Sequence, residues 1–145
     1  MPRSRSAPSV TPPRRSPCPV ACSLDLLGDR WTLLLIRDLV GGKSRYGEFL
    51  ESPEGIPTNI LAGRLQRLEF AGLVKRLPYQ QNPPRHDYSL TLKGEDLKPV
   101  LGALALWGMR HLPKTKPSDP MRAVLEVFAE TARPGGAVPG GAATK

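Results

Sequence analysis

The stretch Gly55–Val74, "GIPTNILAGRLQRLEFAGLV", decides how the chain is read. Leu61, Leu65 and Leu68 recur at the three- and four-residue spacing that stacks side chains along one side of a helix. Asn59, Gly63 and Gln66 fall on the opposite side, with Arg67 flanking them. Thr58 could cap this helix, Phe70 ends it and Gly72 closes it. The leucines make a core face, and the polar face needs another purpose. Gly63 sharpens the question, because glycine costs about 1 kcal/mol relative to alanine inside a helix. It is either tolerated or it admits close approach of something outside the chain.

Upstream, Pro19 suits the first position of a helix edged by Cys18 or Pro17, with Val20, Leu24 and Leu27 on its apolar face and Gly28 at its end. Asp29 could cap the next segment, "DRWTLLLIRDLVGG", which is apolar nearly all round from Leu33 to Leu39 and should lie centrally in the core. "SRYGEFLES" predicts a short helix from about Arg45, with Tyr46, Phe49 and Leu50 facing inward. "PEGIPT" is a turn. Beyond Val74, "LVKRLPYQ" and "HDYSLTL" alternate as two strands joined by the proline-containing loop "QNPPR". A last long amphipathic helix is predicted over Glu95 to Leu112, and Pro99 sits in its first turn or kinks it. Asp119-Pro120 could start a further helix carrying Met121, Leu125 and Phe128.

This order defines a mainly α chain with a small β-hairpin wing: a winged helix-turn-helix. Its expected divisions are a disordered basic arm over 1–17, the winged domain with N- and C-terminal dimerisation helices over 18–112, an extension with a short helix over 113–133, and a disordered tail over 134–145. In such a fold the free face of the third main helix enters a DNA major groove. Asn and Gln there pair bidentately with adenine, and Arg reads guanine or grips phosphate. The candidate DNA-contacting residues on this helix are Thr58, Asn59, Gly63, Arg64, Gln66 and Arg67. Arg64 lies nearer the leucines, so it either reaches phosphate or packs its stem and pairs with an acid. Lys43, Ser44, Arg45 and Tyr46 begin the preceding helix, a usual place for a backbone clamp. Arg85, at the tip or on the return strand of the wing, suits a minor groove or nearby phosphate.

Charge agrees with a polyanionic partner, the formal net charge being +8 and the isoelectric point about 10.0. Much of the excess lies in the tails, +4 within residues 1–16 and +2 beyond residue 112, against +2 for everything between. Within that balanced centre, Ile56 to Arg85 holds Arg64, Arg67, Lys75, Arg76 and Arg85 against Glu69 alone. No run of 18 apolar residues is present, so no membrane span is expected and a cytoplasmic protein is the default. Two cysteines make neither a disulfide framework nor a four-ligand zinc set, and no metal or cofactor is expected. His86 and His111 lack a matched nucleophile or carboxylate, so no enzyme is expected.

"CPVACSLDLLGDRWTLLLIRDLVGGKSRYGEFLESPEGIPTNILAGRLQRLEFAGLVKR", followed by "PPRHDYSLTLKG" and "PVLGALALWG", resembles the HxlR-type winged helix-turn-helix transcriptional regulators over roughly Cys18 to His111. The resemblance implies a homodimer on double-stranded DNA, acting as repressor or activator and paired through its N-terminal segment and last helix. Val20, Leu24, Leu97, Leu101, Leu104 and Trp107 would supply that pairing, and independently Leu97, Leu101, Leu104 and Trp107 offer more apolar surface than one small domain readily covers. Pro57-Thr58-Asn59 departs from the family's commoner Ser-Pro-Lys opening, which alters the operator expected. Several family members sense oxidants or electrophiles at the position matching Cys18. Here Cys18 precedes a helix N-terminus, where amide donors and the dipole favour thiolate, and Cys22 either packs or resolves an oxidised Cys18. An oxidant or small molecule would be the effector. The alternative is a winged helix that serves protein interaction or RNA binding without duplex specificity.

Overall fold

The computed structural model describes residues 14–131, so the expected arm and tail lie mostly outside the described residues. Among the described residues, seven helices and one hairpin follow in order: α1 Pro19–Leu27, α2 Thr32–Val40, α3 Tyr46–Leu50, α4 Thr58–Phe70, β1 Val74–Gln81, β2 Pro84–Leu90, α5 Leu92–Glu95, α6 Lys98–His111 and α7 Asp119–Thr131. The mainly helical reading with a two-stranded antiparallel wing holds.

The core forms where the apolar faces of α2, α4 and α7 meet α3 and the base of the wing. Leu35, Ile36, Phe49, Leu61, Leu65, Leu68, Leu73 and Val74 are all at most 2% exposed. Burying each such side chain is worth about 1.5–3 kcal/mol, so the leucine stripe of α4 is its main anchor. Asp29 caps α2 from outside the helix, its Oδ1 accepting from the Trp31 and Thr32 amides at 2.9 and 3.1 Å. Gly72 ends α4 with φ +74°, a backbone conformation that a side chain would strain.

Several boundaries differ from the sequence reading. Pro57, not Thr58, is the N-cap of α4, and Thr58 is its first helical residue. Leu50 lies at the surface, because α3 is a single turn whose packing is taken by Phe49. The expected last helix is broken: α5 ends at Glu95, and α6 restarts at Lys98 with Leu97 as N-cap and Pro99 in its first turn. Proline is tolerated there because the first-turn amides have no helical partner to lose.

The largest change concerns α7. It is a 13-residue helix, and it buries Met121 and Val124 in the same core. Gly102 of α6 permits this docking: a Cβ there would stand 3.0 Å from the Cβ of Phe128. Leu101 is therefore 6% exposed inside the chain's own core, a correction to its expected place on a dimer surface.

Candidate nucleic-acid interface

On α4, successive side chains turn by about 100°, so Asn59 and Gln66 stand about 20° apart, and Gly63, between them along the axis, lies about 40° to the other side of Asn59. Leu61, Leu65 and Leu68 cover the opposite side. Asn59, Gln66 and Arg67 are exposed, and none has a hydrogen-bond or ionic partner among the described residues. At Gly63 a Cβ would meet nothing within 4 Å, so no packing inside the chain calls for a glycine.

Arg64 behaves differently. Its Nε lies 3.0 Å from Asp29 Oδ1, which makes the acid partner, rather than a bare phosphate contact, its role in this structure. Asp29 is thus shared between the start of α2 and the side of α4. Burial opposes its charge, yet the Thr32 hydroxyl, the Trp31 amide, Arg64 and the Thr32 amide together hold its carboxyl down at about 2.

The preceding helix and the wing are fastened to each other. Glu48 accepts from the Ser44 and Arg45 amides at 2.7 and 3.0 Å, closing the N-terminus of α3 and lowering the Glu48 pKa. The Ser44 carbonyl accepts from the Tyr88 amide at 2.7 Å. Arg45 Nε lies 3.3 Å from Asp87 on β2, and its guanidinium carbon sits 4.2 Å from the centre of the Tyr79 ring. Tyr79 is free to meet it because the hairpin register shifts between Pro78, opposite His86, and Gln80, opposite Arg85. Such a bulge leaves one residue unpaired and re-aims it. The Tyr46 hydroxyl donates to the Thr58 carbonyl at 2.6 Å and so fixes α3 against the start of α4. Lys43 is turned to the chain itself, its Nζ 2.5 Å from the Ser52 hydroxyl. Arg85, on β2, is exposed without a partner among the described residues, as is Lys75 on β1.

The sequence puts Asn59, Gln66 and Arg67 on one face of α4 and leaves Arg85 at the tip or on the return strand of the wing; Arg85 lies on β2. Sequence reasoning missed Tyr79 and Asp87 as partners of Arg45, for which only the bulge gives a reason. Among the remaining candidates, Cys18 is exposed at the N-cap of α1, and the thiol of the half-buried Cys22 lies 3.2 Å from the Ser16 carbonyl. Val20, Leu24, Leu104 and Trp107 are each more than half exposed, and Leu97 is half-buried against the core. No helix among the described residues is long and apolar enough to cross a membrane, and no cluster there has a metal-ligand set.

The family described as HxlR-like helix-turn-helix matches residues 26–116. An HTH-type transcriptional regulator of Mycobacterium bovis is 41% identical over 95 residues, which cover 66% of this chain and 60% of that protein. The chain therefore spans about 60% of the length of this relative. The redox regulator HypR in its oxidised form superposes with a TM-score of 0.59 at 34% identity, covering 70% of this chain and all of that one (100%). The reduced transcriptional regulator YodB of Bacillus subtilis gives 0.56 at 32% identity, covering 68% and 98%. With a helix-turn-helix and wing of this geometry, and a family match over most of its length, the chain belongs to the HxlR-like helix-turn-helix family.

Proposed function

We propose that this protein is a sequence-specific DNA-binding transcriptional regulator, a homodimeric repressor on a pseudo-palindromic operator. The observation that carries the reading is the unpartnered set Asn59, Gln66 and Arg67 on the exposed side of a helix whose other side is core. Polar side chains without a partner among the described residues, on the face that also carries Gly63, suit base edges and phosphates in a major groove. Arg67, Lys75 and Arg85 add free positive charge to the helix and the wing.

Dimerisation is supported by the poor cover of α1, which buries only Leu27 while Val20 and Leu24 remain 67% and 56% exposed. Leu104 and Trp107 of α6 are exposed to a similar degree, 54% and 57%. A second copy would cover both surfaces and set two recognition helices about one or two helical turns of DNA apart, roughly 10 or 20 bp. For the effector, the redox regulation named for HypR and the exposure of Cys18 support an oxidant or electrophile. Cys18→Ser should then abolish release of DNA by diamide, and unchanged release removes Cys18 from the mechanism.

Phe70 and Leu92 favour a second reading, a protein-interaction module. They are 80% and 87% exposed and flank the junction at which the Thr91 hydroxyl donates to the Gly72 carbonyl. The deciding experiment is binding to the duplex upstream of the protein's own gene and to random duplex at rising salt. A specific regulator keeps its preference as the nonspecific attraction weakens. Indifference to sequence at every salt concentration overturns the regulator reading in favour of the interaction module.

A further inference from the structure

A cleft of about 510 Å³ opens where the end of α2, the turn before α4, the second half of α6 and the start of α7 meet. We propose that it is a binding site for a small hydrophobic acid: an apolar body carrying one carboxylate. The volume falls within the range of about 300–1,000 Å³ usual for small-molecule sites. Ala105, Met109, Pro117, Pro120 and Met121 provide an apolar wall.

The opposite wall is polar but already neutralised. Arg37 holds Glu54 through two hydrogen bonds at 2.6 and 2.9 Å and Asp38 Oδ1 at 3.0 Å from its Nε. Asp38 also accepts from the Ser52 hydroxyl, and Lys43 lies 3.7 Å from it. The Thr115 hydroxyl is taken by the carbonyls of Gly108 and Leu112. This leaves Lys116 as the lining cation with no partner among the described residues. Asp119, in the following turn, does not line the cleft and lies 3.9 Å from Arg122. An apolar wall with one unspent positive charge complements a hydrophobic anion and disfavours a cation.

Pro117, Ser118, Pro120 and Met121 lie beyond the family match, so α7 and the segment before it close one side of a cleft whose other lining residues, Lys116 included, lie within the match. An occupant lies against Pro53 and Glu54, the turn leading into α4. This contact gives an occupant a route to α4, and through it to DNA affinity. That consequence rests on the regulator reading; binding in the cleft does not.

Calorimetric titration of the full chain with 2-naphthoate and with neutral 2-naphthamide tests the proposal. One saturable site is expected, with the acid preferred. Gly108 lines the cleft, and a Cβ there would meet only Leu112, at 3.9 Å. Gly108→Leu therefore starts from an open Cβ position and extends a side chain at the cleft lining; it should melt no lower than wild type and should weaken naphthoate at least about tenfold. Lys116→Met should weaken naphthoate about threefold, as an exposed charge pair does, and leave the amide unchanged. Absence of saturable binding, equal affinity for acid and amide, or full binding by a folded Gly108→Leu would each overturn the site. If naphthoate binds wild type and not Gly108→Leu while neither prefers an operator, the cleft stands and the regulator reading falls.

Discussion

Two sets of polar side chains lie close together, one on the outer face of α4 and the other where α3 meets the wing, and they differ in what already holds them. Arg45, Ser44 and Tyr46 are engaged with Asp87 and Tyr79, with Tyr88 and with Thr58. Asn59, Gln66 and Arg67 are engaged with nothing among the described residues. The engaged set fixes the angle between α3, α4 and the wing; the free set is what that geometry presents. Arg64 shows the boundary between them, since one helical turn of α4 carries both Arg64, tied to Asp29, and the untied Arg67.

Substitutions in the two sets should have opposite consequences. Asn59→Ala should leave stability within about 0.5 kcal/mol and relax sequence preference by about 1–3 kcal/mol at one base pair of each half-site. Competition with operator variants measures this, and an equal loss on random duplex would place Asn59 among the nonspecific contacts. Asp29→Asn should do the reverse, costing about 2 kcal/mol of stability at neutral pH in urea unfolding. Because the folded pKa of Asp29 is depressed to about 2, its contribution is present above its unfolded pKa and lost as the pH falls through about 2. The gap between variant and wild type should therefore close from about pH 4 downward, and a gap that is constant with pH would show that Asp29 does not act through its charge.

Gly63→Ala sharpens the contrast within α4. With open space at the Cβ position, it should raise stability by about 1 kcal/mol, while Gly63→Leu should fold and yet lose specific binding. Retained operator affinity in Gly63→Leu would mean that nothing approaches this face. The smallest effect is expected at the wing. A double-mutant cycle of Arg45 and Asp87 should give a coupling of about 0.2–1 kcal/mol, since both side chains are largely solvent-accessible. Arg45→Ala should weaken all duplexes alike, because it loosens the wing without removing a base contact.

The order of helices, the hairpin and the two-faced character of α4 were legible in the sequence because helical and strand periodicities are local properties. Leu61, Leu65 and Leu68 announce a buried face whatever lies against them, and Pro19 and Gly72 mark ends by their own backbone preferences. Tertiary structure decided the rest. Whether Arg64 meets phosphate or acid depended on Asp29, 35 residues away, arriving beside it. Whether Leu101 faces a second copy or the chain's own core depended on α7 docking across Gly102, which no local spacing encodes. The partners of Arg45 likewise depended on a one-residue register shift in the wing. Periodicity says which side of an element is apolar; only the folded chain says which neighbour covers it and which charges remain unspent.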